Sequence, residues 1–208
     1  VVGIYISAHP LDDYLREIKN FTSTGLSSLN DLNKIINKDL YVGGIINEVE
    51  HLQTKTGNGF AVFSFEDFND QYQFRIFGED YLKYKHLLEE NKILRLRISI
   101  RDGWVNRETG RVGDPRIQFL NMELLDGIID SSSKKITLKI DSSTLNLDEV
   151  KKLKKIFSKH KGSKPVYFDI LDTNNEIKLN MISQETKVSI TKDLLISLEK
   201  EEFSYKLN

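Results

Sequence analysis

The chain has 208 residues, 39% of them hydrophobic and 29% charged, with a formal net charge of −1 and no cysteine. That balance describes a folded chain rather than a disordered one, long enough for one large domain or two small ones. The lack of cysteine excludes disulfides, zinc–thiolate sites and cysteine nucleophiles, and it fits a reducing, cytoplasmic setting.

The opening stretch VVGIYISA is apolar, but it has no basic flank and is far too short to span a bilayer, so no membrane contact is expected. It lacks an initiator methionine, which suggests a piece of a longer protein. Pro10 suits a first helical position, and Leu11, Tyr14, Leu15, Ile18 and Phe21 fall on one apolar stripe, predicting a helix over 10–21. Ser28 followed by Asp31 has the spacing of a capping box and predicts a second short helix. Residues 1–37 read as a helical lead-in.

From residue 38 to 125 the pattern changes to strands. LYVGGIINEVEHL is a long β run in which Gly43 and Gly44 suggest a bend or bulge. A TGNG turn returns the chain through FAVFSFED, and a second turn leads to YQFRIF. GEDYLKYKHLLEEN predicts a helix, with Tyr81, Tyr84, Leu87 and Leu88 on its apolar face. ILRLRISIR alternates Leu94, Leu96, Ile98 and Ile100 with Arg95, Arg97, Ser99 and Arg101, and a loop then leads to RIQFLNMEL. The order β-β-β-α-β-β is that of a five-stranded oligonucleotide-binding (OB) barrel.

Residues 126–208 begin with a linker-like DGIIDSSS. A strand follows, then a helix capped by Asn146 and Glu149 and ending near Gly162. A hairpin and a closing helix capped by Thr191 complete a small unit. The expected architecture is therefore α+β and mainly β: a five-stranded OB barrel preceded by short helices and followed by a small α+β domain.

The chemistry points to binding. His9, His51, His86 and His160 lack any ligand spacing, no phosphate loop or nucleophile motif is present, and no cofactor is implied. Residues 92–116 hold seven basic side chains against three acidic ones. OB barrels bind strands on the face of their second and third strands, framed by the loops between strands 1 and 2 and between strands 4 and 5. That surface carries Lys55, Phe60 and Arg75, the second loop supplies Trp104, Arg107 and Arg111, and Arg95 and Arg97 lie on the basic stripe. Aromatic platforms with nearby cations are what single-stranded DNA requires. Each residue has a plainer reading. Phe60 packs under the 54–59 hairpin or a neighbouring domain, Trp104 plugs the barrel, and the arginines form a solvated face paired with Glu48 and Glu50. The lysine-rich helix 151–161 is most simply a wet helix face.

Gly3, Tyr5, Ser7, His9, Pro10 and Leu11 in GIYISAHPL resemble the G-x-Y-x-S-x-H-P-L element of the bacterial replicative DNA polymerase III alpha subunits. Lys55 and Gly57 resemble the family's K-x-G turn, and Glu66-Asp67 its L-E-D element. RIFGEDY is similar to the strand-to-helix junction that follows, and KVSITKDLLISLE to the V-x-P-x-x-x-L-L-x-x-L ending. Ala8, Asp70 and Ile190 depart from that pattern. The resemblance implies the C-terminal part of a replicative polymerase, itself without catalytic carboxylates. Its OB domain would meet single-stranded template and its last domain the clamp-loader tau subunit, the rest of the polymerase chain lying upstream. The sliding-clamp peptide that precedes this region in the family has no clean counterpart here.

Overall fold

The computed structural model describes residues 9–105, 109–143, 145–172 and 177–208. The chain divides into two compact units, Val1–Asp126 and Gly127–Asn208.

In the first unit a five-stranded sheet has the order β3-β2-β1-β4-β5. Its strands are β1 (Asp39–Gln53), β2 (Gly59–Glu66), β3 (Gln71–Phe77), β4 (Ile93–Arg101) and β5 (Arg116–Leu124), all paired antiparallel. The length of β1 lets one strand serve two partners: residues 39–45 pair with β4, and residues 45–53 with β2. Period-two alternation sends Ala61, Phe63, Phe65, Phe74, Ile76, Leu94, Leu96, Ile98 and Ile100 into the core. Within it Phe63 stacks on Phe74 at 5.3 Å, and Phe119 of β5 lies 5.7 Å from Phe74 of β3. The two end strands thus share core side chains while pairing with only one neighbour each; the sheet is not a closed barrel.

The glycine pair does not itself carry the bulge of β1. The register shift falls between Ile46 and Glu48, and Gly44 serves a close approach: a Cβ there would stand 2.3 Å from the Glu66 carbonyl oxygen of β2. The lead-in also differs from the pattern expected of it. It forms a 3-10 turn at Asp12–Tyr14, α1 (Leu15–Phe21) and two further 3-10 turns, Leu26–Asn30 and Leu32–Ile35. Gly25, not Ser28, precedes the first of these, and the Ser28 hydroxyl donates to the Gly25 carbonyl at 2.9 Å. Leu26 and Leu29 join the core of the sheet. Between β3 and β4 runs α2 (Gly78–Tyr84), continued by a 3-10 turn that delivers Leu88 to the core.

The second unit opens on α3 (Ile128–Ser132), whose Ile128 and Ile129 are buried, so the linker-like composition conceals a short helix. Its sheet has the order β8-β7-β6-β9. β6 (Ile136–Asp141) and β7 (Lys161–Asp172) are parallel, joined by α4 (Leu147–Lys159); β8 (Ile177–Val188) and β9 (Ser204–Leu207) are antiparallel to their neighbours. The capping box at Asn146 and Glu149 is formed, with both backbone donors 3.0 Å from Asn146 Oδ1. The helix ends at Lys159, and Gly162 belongs to β7. Thr191 caps α5 (Lys192–Lys200). The unit's buried side chains include Ile136, Leu138, Leu153, Ile156, Phe157, Val166, Val188, Ile190, Leu194, Leu195, Leu198 and Leu207. No described helix is long and apolar enough to cross a membrane.

Candidate nucleic-acid interface

Three antiparallel strands set the outward face of the first unit. Leu52, Phe60 and Phe77 form one cross-strand row, and Glu50, Val62 and Arg75 form the next. Phe60 and Phe77 stack, ring centroids 5.0 Å apart and planes 16° from parallel. Phe60 is half-buried by this contact, while Phe77 remains 51% exposed. Phe60 therefore packs against a cross-strand ring that is itself exposed. Lys55 is exposed at the tip of the hairpin that begins just beyond this row.

Arg75, Ile76, Phe77 and Asp80 face Arg116, Ile117, Gln118 and Phe119 across a cleft of about 330 Å³ between β3 and β5. A guanidinium stands on each wall. Arg116 lies over the Trp104 ring at 4.0 Å, and Trp104 is 75% exposed, so it plugs nothing. The loop bearing it is folded back by the bridge Val105–Val112 and by the Gly113 amide donating to the Trp104 carbonyl at 3.0 Å. Arg111 is exposed near the end of that loop, and Arg107 lies outside the described residues. Burial raises the Asp80 carboxyl above its ordinary range, with Lys83 opposing and Glu79 adding to the shift.

Arg95 and Arg97 are held elsewhere. Arg95 bridges Glu123 at 2.6 Å, donates to the Phe21 carbonyl at 3.3 Å and lies over the Tyr41 ring. Arg97 bridges Asp39 at 2.9 Å and also lies over Tyr41. Neither meets Glu48 or Glu50, because those residues stand on the half of β1 that pairs with β2 rather than β4. These two arginines tie β4 to β5, to β1 and to the end of α1.

Phe77 and Arg116 were not among the residues singled out from sequence. Phe77 carried a signal, since it breaks the Tyr72/Phe74/Ile76 alternation with an aromatic of the opposite parity, as Phe60 does. Arg116 counted only as the last of the seven basic residues over 92–116, because its distance to Trp104 depends on how the loop folds.

The elements His-Pro-Leu and Glu-Asp, distant in sequence, meet in space. The His9 ring lies 4.9 Å from Phe68 and its Nε2 is 3.7 Å from Glu66 Oε1, while Asn47 donates to Glu66. Buried Asp67 accepts from the backbone amides of Leu26, Asn69 and Asp70 at 2.6, 2.8 and 2.9 Å. One carboxylate thereby starts the lead-in turn and closes the β2–β3 hairpin. Among the described residues no group of His, Asp or Glu could hold a metal ion.

In the second unit, Ile177, Leu179, Met181 and Ile182 of edge strand β8 and Leu171 of β7 are each about half exposed. Ile170, Leu179, Phe168 and Met181 share one face of the hairpin, continuing the row of Leu138 and Ile140.

Residues 136–208 match the family described as DNA polymerase III alpha subunit, C-terminal domain. Three curated proteins called DNA polymerase III subunit alpha are similar over most of the chain. That of Borreliella burgdorferi is 28% identical over 88% of this chain and 16% of its own length. That of Bacillus subtilis is 25% identical over 86% and 15%, and that of Saccharopolyspora erythraea 22% over 96% and 16%. The chain is similar to bacterial DNA polymerase III alpha subunits over most of its length, and to the family's C-terminal domain over residues 136–208. It spans about a sixth of the length of these alpha subunits. The His-Pro-Leu, Glu-Asp and C-terminal elements that resemble the alpha-subunit family thus occur in a chain similar to these three alpha subunits over most of its length.

Proposed function

We propose that the chain serves DNA replication as the non-catalytic C-terminal part of a cytoplasmic, DNA-directed DNA polymerase. Its first unit holds single-stranded template weakly and without sequence preference, and its second docks another replisome subunit. The observation that carries the reading is the cleft between β3 and β5, where Arg75 and Arg116 face one another between the Phe60–Phe77 stack and Trp104. Rings offer bases a sequence-tolerant surface and guanidinium groups meet phosphates, so the combination suits a strand without reading it. The strand order β3-β2-β1-β4-β5, with Phe119 against Phe74, supports an OB barrel left open at this seam. Lys55 and Arg111 extend the cationic rim. Glu48 and Glu50, on the same sheet face, steer the strand toward the β3–β5 side, and Arg95 and Arg97 fall outside the binding set. The exposed apolar face of the β7–β8 hairpin supports protein docking by the second unit, and the family resemblance points to the clamp-loader tau subunit. No cofactor is required.

Trp104, the sole tryptophan, provides the test. Titration of the 208-residue chain with oligothymidine should quench its fluorescence saturably, with a log–log salt slope of about −2 to −3 for three or four phosphate contacts at ~0.7 each. Phe60→Ala and Phe77→Ala should each weaken binding by about 1–3 kcal/mol. Absence of binding by both fluorescence and anisotropy would leave a protein-docking module. That alternative has its own observation in the three carboxylates Glu48, Glu50 and Glu66 of the outward face, which repel a polyanion.

A further inference from the structure

The second unit carries a cleft that the reading above leaves unused. Lys154, Phe157 and Ser158 of α4, Lys161 and Gly162 at the start of β7, and Glu185, Thr186 and Lys187 of β8 enclose about 480 Å³. Its shape follows from the backbone. Lys154, Phe157, Ser158 and Lys161 recur at the spacing of one helical face, carried one step past the end of α4. A register shift between Lys161 and Lys164 lets β7 bulge beside β8, and Gly162 permits it: a Cβ there would lie 2.3 Å from the Ser189 amide nitrogen. In β8 the Ser183 hydroxyl accepts from the Thr186 amide at 3.1 Å, turning Thr186 and Lys187 toward the same opening.

The charges lean one way. Lys154, Lys161 and Lys187 stand against Glu185 alone, and none of the three lysines forms an ion pair among the described residues. Lys151 and Lys152, further back on α4, are instead spoken for by Asp148 and Glu201. The cleft contains no exposed ring: Phe157, its one aromatic, is 7% exposed and belongs to the core.

We propose that this cleft receives the phosphodiester backbone of a DNA duplex. Lysine heads on flexible stems meet phosphates as point charges without bidentate geometry, which favours contact with a backbone over reading of bases. Single strands need exposed aromatic platforms, which the first unit has and this cleft lacks. An acidic polypeptide would gain from an apolar anchor beside its charges, and the one apolar side chain on these walls, Phe157, is only 7% exposed. The inference rests on the reading of the chain as part of a replicative polymerase, where template leaves the catalytic part as duplex, but it uses a different surface from the single-strand site.

The test uses the full 208-residue chain and two labelled probes, a short duplex and oligothymidine, each measured across a salt series. Combining Lys154→Ala, Lys161→Ala and Lys187→Ala should weaken duplex binding and flatten its salt slope by about 2 to 3, at ~0.9 per lost contact. Trp104 quenching by oligothymidine should stay unchanged, and Phe60→Ala should show the reverse pattern. The three Lys→Arg replacements should retain duplex binding. Lys151→Ala with Lys152→Ala, which removes two charges from the same helix outside the cleft, should change the slope by less than one. An unchanged duplex slope in the triple variant overturns the proposal. So does an equal effect from the Lys151/Lys152 pair, which would mean diffuse charge. Displacement of the duplex by polyglutamate, with the same sensitivity to the triple variant, would reassign the cleft to an acidic polypeptide. Loss of oligothymidine quenching alone would touch only the first unit.

Discussion

At the residue scale, the outward rings are explained by each other. A lone exposed phenylalanine on a strand gains nothing from water, whereas Phe60 and Phe77 bury one face each in a stack and Phe77 stays 51% exposed on the wall of the cleft. Asp80 is the discordant side chain. It is a half-buried carboxylate in the same cleft as Arg75 and Arg116, and desolvation raises its pKa. A folded-state pKa above the unfolded one means the folded state binds that proton more tightly, so this contribution to stability is lost as pH rises through the raised value. It also repels phosphate whenever ionised. Asp80→Asn is therefore expected to strengthen oligothymidine binding at neutral pH and leave stability there equal or slightly higher. As pH falls toward the carboxylate range, wild-type affinity should rise toward that of the variant, because protonation removes the same charge. Parallel titrations of both proteins at several pH values measure this; a constant affinity ratio would remove Asp80 from the site.

At the element scale, the pieces with a strong local period were legible and the pieces defined by distant partners were not. The alternation of Leu94, Leu96, Ile98 and Ile100 announces β4 because one face of that strand is entirely buried. The helix α4 announces itself by its cap and its Leu153/Ile156/Phe157 stripe. By contrast β9 is four residues long, and it is a strand only because β6, nearly seventy residues earlier, supplies an edge. The Leu26–Asn30 turn of the lead-in starts on Asp67, forty-one residues from Leu26, which no capping rule based on neighbouring residues could anticipate. The arginine stripe was visible, yet its partners Glu123 and Asp39 were not, since pairing was fixed by where β1 changes neighbours. Gly43-Gly44 does not carry the bulge of β1, and Gly44 marks a close approach of strands. Gly44→Ala should consequently destabilise the first unit by about 1–3 kcal/mol, as overpacking does, because the added methyl meets the fixed Glu66 carbonyl rather than a side chain that can move. A lowered urea midpoint with unchanged slope is the expected result; an unchanged midpoint would mean that β1 and β2 separate there at no cost.

At the scale of the whole molecule, the two units have separate sheets and separate buried sets, and the chain passes from one to the other at residues 126–127. The candidate surfaces divide the same way. Rings and arginines gather on the first unit; lysines and an apolar edge hairpin gather on the second. On the function proposed above, strand holding and subunit docking would fall on different units, so a change that loosens one surface need not loosen the other. If each core is its own cooperative body, damage should stay where it is made. Leu194 is fully buried in α5 of the second unit, and Leu194→Ala removes core methyl groups at a cost of about 2–5 kcal/mol. Hydrogen exchange followed by mass spectrometry should then show faster exchange in β6, β7, α4 and α5, with β1 to β5 as protected as before. Faster exchange throughout would mean that the two units unfold as one, and that a ligand on either surface stabilises both.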